Sequence, residues 1–117
     1  MLRIFFDHDL NHKIIKGLTK RISDLDYITP LTLGNIDESD ANHLKWAWEN
    51  RRVTISHDVN TMTDAANQRF ANGESIWGLI LVPQSLPIGD VIEELMFIIS
   101  CSDENDFENL IVFLPFL

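Results

Sequence analysis

The sequence predicts an α/β domain with a central, mostly parallel five-stranded sheet and helices on both faces of it. Three observations carry that prediction. Short apolar runs rich in β-branched and aromatic residues recur and stop abruptly at polar ones, as at Asp7 and at His57-Asp58. Segments with apolar residues at helical spacing separate these runs, and strict alternation of strand and helix builds a parallel sheet covered on both sides. A composition of 45% hydrophobic and 23% charged residues in 117 is that of an ordinary globular chain, and the length fits a single domain spanning 1–117.

Leu2 to Phe6 reads as a buried strand closed by Asp7. Residues 9–22 place Leu10, Ile14, Ile15, Leu18 and Ile22 on one helix face, with Asp7 or Asp9 as the expected N-cap. Tyr27 to Thr29, closed by Pro30, is a weak second strand, and Thr32 to Glu38 with Gly34 and Asn35 is a loop. Ser39 or Asp40 caps a helix whose inner face is Leu44, Ala47 and Trp48. Val53 to Ser56 is the third strand, residues 60–71 are moderately helical, and Ile76 to Val82 is a strongly apolar fourth strand. Val91, Ile92, Leu95, Met96, Ile98 and Ile99 mark the most apolar helix, and Leu110 to Leu114 is the last strand, after the acidic stretch Asp103 to Glu108.

Charge narrows the functional classes. Nine basic residues face eighteen acidic ones, which argues against coating nucleic acid by bulk electrostatics. The excess is uneven: beyond residue 60 the only basic residue is Arg69, while Lys13, Lys16 and Lys20 fall three and four apart on one face of the first helix beside Arg21. That row is either a solvated face or a surface for a polyanion. Cys101 is the single cysteine and has no internal disulfide partner, and the apolar runs fall short of a membrane span, so a reducing cytoplasm and no membrane partner are expected.

In open parallel sheets ligands bind beyond the carboxyl ends of the strands. Asp7 and Asp9 after the first strand, Asp37, Glu38 and Asp40 at the second helix, and Asp58 after the third strand should converge there. Clustered carboxylates repel one another and call for a compensating cation, and all-oxygen sites suit Mg²⁺ or Mn²⁺. Such ions support phosphodiester hydrolysis. Strand-end and helix-start aspartates also serve as plain caps, so both readings stand at this point.

At these residues a resemblance appears. Phe5-Phe6-Asp7-His8-Asp9-Leu10, the pair Ser39-Asp40, the run Arg52 to Asp58 and the later Trp77 to Val82 resemble a small PIN-like family related to VapC-type toxins. The resemblance implies a three-layer PIN-like fold and a metal-dependent ribonuclease acting as a toxin beside an antitoxin. It also implies that Asp7, Asp40 and Asp58 are catalytic, metal-binding carboxylates. Where that family has a further Asp, this chain has Asn60, a neutral oxygen donor followed by Thr61; Asp9 and His8 stand where the family tends to have Asn and Glu.

Two functional classes follow. One is a Mg²⁺- or Mn²⁺-dependent ribonuclease with Asp7, Asp9, Asp40, Asp58 and Asn60 around the metal. In it Lys13, Lys16, Lys20 and His57 contact substrate, and the acidic second half is turned toward a partner protein or a second subunit of a homodimer. The other is a non-catalytic interaction module with a degraded metal site, suggested by Asn60. A phosphoacceptor receiver has the same alternation but needs a Lys after the fifth strand, and no Lys or Arg follows Arg69. His8 and His12, four apart, would flank one helix face, and Cys101 is expected to pack inertly. The tail Val112 to Leu117 either closes the sheet or joins subunits.

Overall fold

The computed structural model describes residues 1–34 and 39–116. Five strands, β1 (Ile4–Phe6), β2 (Tyr27–Ile28), β3 (Val53–Ser56), β4 (Leu79–Leu81) and β5 (Ile111–Phe113), form one sheet in the order β2-β1-β3-β4-β5. Every pairing is parallel, so the expectation of a mostly parallel sheet is met without an antiparallel strand. This is one of the two common doubly wound orders, and its direction of travel reverses between β1 and β3.

Five helices cross between the strands: α1 (His12–Arg21), α2 (Pro30–Leu33), α3 (Asp40–Glu49), α4 (Thr61–Ala71) and α5 (Ile88–Cys101), with a 3₁₀ turn over Glu104–Phe107. Side chains alternate across a strand, and the two faces are correspondingly distinct. Ile80 and Val82 of the β4 region, with Ile4 and Phe6, join Ile14 and Leu18 of α1 and Leu95 of α5 in the larger core. Leu79 and Leu81 point the other way, onto Leu44 of α3 and Met62 and Ala66 of α4. The sheet is therefore the middle of three layers. The α1–α5 pair packs closely because Gly17 has no side chain, and a Cβ there would overlap Ile92. At Gly78, φ is +138° and a Cβ would meet the Phe107 carbonyl oxygen at 2.9 Å, so only glycine fits the entry to β4.

Several local expectations change. The α1 N-cap is Asn11, whose side chain accepts from the Lys13 amide, because the chain first turns through residues 8–10 before the helix starts. That delay leaves His8 outside the helix, so His8 and His12 are not a helical pair. Pro30, expected to close the second strand, starts a short helical turn that runs into the loop expected from Thr32, and Gly34, at φ +66°, ends it. The candidates Asp37 and Glu38 lie outside the described residues. Cys101 is exposed rather than packed: Ile98 and Ile99 of the last turn of α5 are buried, and Cys101 is not. Among the described residues no helix is long and apolar enough to cross a membrane.

A charged cluster closes the amino ends of the strands. Arg52, Asp26 and Arg3 each immediately precede a strand. Arg52 is buried, with Nη2 2.8 Å from Asp26 Oδ1 and Nη1 donating to the carbonyls of Ile4 (3.2 Å) and Asp26 (3.4 Å). Arg3 donates to Asp26 Oδ2 at 3.1 Å and to the Asn50 carbonyl at 3.1 Å.

Candidate metal centre

The opposite, carboxyl edge gathers the predicted acids. Asp7 continues β1, its amide donating to the Ile55 carbonyl at 2.9 Å, and this ladder bond fixes the carboxylate at the β1–β3 switch point. Asp7 is 3% exposed. Its Oδ2 accepts from Ser56 Oγ at 2.6 Å; its Oδ1 accepts from the His8 amide at 2.9 Å and lies 3.1 Å from His8 Nδ1. Burial alone would push this carboxyl up, but His43, Ser56 and His8 outweigh it and bring it down from 3.8 to about 2.

From Asp7 a polar chain runs outward. Ser56 Oγ accepts from the Asp58 amide at 2.9 Å, and Asp58 Oδ1 accepts from the Thr61 amide at 2.9 Å at the start of α4. The Thr61 hydroxyl meets both Asp58 Oδ2 and, at 2.6 Å, Asp40 Oδ2. Asp40 opens α3, which Ser39 caps by accepting from the Asn42 amide at 3.2 Å. Hydrogen bonding from Thr61 is the main reason the Asp58 carboxyl sits below its usual value, while the charge of Asp7 works the other way. Asp7, Asp58 and Asp40, far apart in sequence, thus belong to one linked group. A hydroxyl has a single proton, so Thr61 can donate to only one of the two carboxylates it touches. Among the described residues, no Lys or Arg forms an ion pair with any of the three.

The sequence reading missed His43. It lies one turn after Asp40 on α3, is 0% exposed, and neither ring nitrogen has a hydrogen-bond partner. Its Nδ1 is 3.6 Å from Asp7 Oδ1, too long for a hydrogen bond, and its ring packs on Phe5 with centroids 5.4 Å apart. The spacing Asp40-x-x-His43, together with four residues from His43 to the buried Ala47, places it on the inner face and is the signal that was available. Asp7, His8 and His43 present ligand atoms within 4.8 Å of one another and together could hold a metal ion. Exposed His8 is bracketed by carboxylates, its Nε2 lying 3.3 Å from Asp9 Oδ1. A cavity of about 340 Å³ opens beside Asp7, His8 and His12.

The remaining candidates are spread around this edge. His57 donates from Nδ1 to the Val82 carbonyl at 2.8 Å and accepts the Asn11 amide on Nε2 at 3.2 Å, so it is the neutral Nδ1–H tautomer and ties β4 to the start of α1. With Asp9 and Asn11 it lines a separate hollow of about 400 Å³. Lys13, Lys16 and Lys20 line a third depression, of about 570 Å³, with Arg21, Gly17 and Ile92. Asn60 is exposed just before Thr61, and its side chain makes no capping bond. Of the three tryptophans, Trp77 is buried and Trp48 packs against it, tilted, with centroids 5.6 Å apart, while Trp46 packs on Phe5 at 5.4 Å.

Fold and site together define a class: a doubly wound parallel α/β protein with a candidate metal centre at its switch point. Comparison with known proteins finds no matching family model, curated protein or solved structure.

Proposed function

We propose that this chain is a divalent-metal-dependent ribonuclease of PIN-like type that hydrolyses phosphodiester bonds at the carboxyl edge of its sheet. The observation that carries this reading is the linked group Asp7–Ser56–Asp58–Thr61–Asp40, three carboxylates brought together without a Lys or Arg among the described residues to balance them. Asp7, Asp58 and Asp40 would hold the ion, Mg²⁺ or Mn²⁺, with Asp9 and Asn60 at the margin. When bound there, a divalent ion supplies Lewis acidity toward a phosphoryl oxygen and lowers the pKa of water.

The chain's own residues orient and bind. Ser56 and Thr61 fix the directions of the Asp7 and Asp58 carboxylates, as outer partners of metal ligands do. Lys13, at the start of α1, is the row's first residue on leaving the edge, and Lys16 and Lys20 extend it along α1 for a phosphate backbone. The same reading assigns the acidic second half to an antitoxin or a second subunit, and the chain to the cytoplasm.

The test is cleavage of an end-labelled single-stranded RNA by the full chain with Mg²⁺ or Mn²⁺, with chelator as the blank. Cleavage should need the ion and fall by at least two orders of magnitude in Asp7→Asn and Asp58→Asn. An RNA left intact at every ion concentration, by protein that still binds the metal, would leave the edge as an interaction module's vestigial site.

A further inference from the structure

We propose that the seat made by Asp7, His8 and His43 selects a first-row transition ion of the Zn²⁺ or Co²⁺ kind over Mg²⁺. The proposal rests on the reading of this edge as a metal centre, and not on RNA being the substrate.

His43 is the starting point. An interior imidazole with two unpartnered nitrogens is costly, and buried polar atoms in folded proteins are nearly all paired. His43 sits instead with Nδ1 3.6 Å from Asp7 Oδ1. Two ligands of one tetrahedral ion with bonds of about 2.1 Å stand roughly 3.4 Å apart, so this separation fits two atoms sharing an ion better than it fits a hydrogen bond.

The surroundings agree. Ser56 occupies Asp7 Oδ2 and leaves Oδ1 facing both imidazoles, with His8 Nδ1 at 3.1 Å from that same oxygen. Two nitrogens and one carboxylate oxygen thus lie within 4.8 Å of one another. The His8 and His43 rings meet edge to face at 5.9 Å, and Phe5 supplies an apolar wall behind His43. Mg²⁺ takes oxygen ligands and gives up its waters reluctantly, whereas imidazole suits the later transition ions. The all-oxygen pair Asp58 and Asp40 lies farther out along the chain of hydrogen bonds and lacks this nitrogen chemistry.

The experiment uses the full chain freed of metal by chelation. Co²⁺ is titrated in and its visible d–d absorption is read, followed by competition with Zn²⁺ and with Mg²⁺ in roughly a hundred-fold excess. Expected are a saturable band at one equivalent, its loss on adding Zn²⁺ and its persistence in Mg²⁺. His43→Gln, a close match in size, and His8→Gln, at an exposed position that tests the seat without disturbing the core, should each weaken Co²⁺ at least about tenfold. Asp58→Asn should leave the band in place. Displacement by Mg²⁺ as effective as by Zn²⁺, or parent-like titration of both histidine variants, would overturn the proposal. A strong band in protein that never cleaves RNA upholds the seat and removes the ribonuclease; Mg²⁺-driven cleavage with no band does the reverse.

Discussion

The two ends of the same five strands each hold buried charge, and they treat it differently. At the amino ends, Arg52 is paired with Asp26 and capped by two backbone carbonyls, and Arg3 completes the ring. Burial works against the Asp26 carboxyl, but Arg52 and then Arg3 hold it below its usual value. Every charge there has an opposite charge. At the carboxyl ends, Asp7 is held by hydroxyl, amide and imidazole groups, His43 keeps two unpartnered nitrogens, and one Thr61 hydroxyl serves two carboxylates. A cluster that closes on itself serves the fold. One that leaves buried nitrogens beside a carboxylate could hold a metal ion.

The comparison can be broken most strongly at the closed end. Arg52→Met keeps the apolar stem but removes the ion pair to Asp26, which keeps only Arg3, and the bond to the Ile4 carbonyl; with Asp26 half exposed, urea unfolding should show a loss of about 3 kcal/mol, the low end for a broken buried pair. Metal binding at the other end should not change.

Asp7→Asn comes next. Because the Asp7 carboxyl is depressed from 3.8 to about 2, its ionised form contributes stability that is fully present above about pH 4 and lost as pH falls to about 2. In metal-free protein the variant should lose about 2 kcal/mol at neutral pH and show a flatter stability profile across that window. A profile as steep as the parent's would place the acid sensitivity elsewhere.

His43→Leu sharpens the contrast. Removing two unsatisfied buried nitrogens offsets the lost contact with Asp7, so metal-free stability should stay within about 1 kcal/mol of the parent, while Co²⁺ binding at the Asp7–His8–His43 seat is lost. A loss as large as that of Arg52→Met would make His43 a structural member of the fold. The smallest effect belongs to Thr61→Val, on the exposed start of α4. Stability should move by a few tenths of a kcal/mol, and a carboxyl-resolved NMR titration should show Asp58 rising toward its ordinary value.

Much of this architecture was legible because parallel strands buried on both faces have few ways to be written. Ile4–Phe6 and Val53–Ser56 are apolar runs stopped by polar residues, and the stops are where Asp7 and Asp58 leave the sheet. The approach of Asp7, Asp40 and Asp58 followed from placing each at a strand end or helix start. What escaped was contact detail. Whether α1 starts at residue 9 or 12 depends on a turn and on Asn11, which local pattern does not fix. The spacing of His43 to Ala47 puts it on the inner face of α3, but its packing on Phe5 and its approach to Asp7 come from elements distant in sequence. The Arg52–Asp26 pair spans 26 residues and has no local signature at all.

The most direct test of the open end is a calorimetric titration of Mn²⁺ into metal-free parent protein and into Asp7→Asn. One saturable site in the parent, absent from Asp7→Asn and intact in Arg52→Met, is the predicted result. Equal binding to parent and Asp7→Asn, or no binding to either, would contradict a metal centre at the β1–β3 switch point.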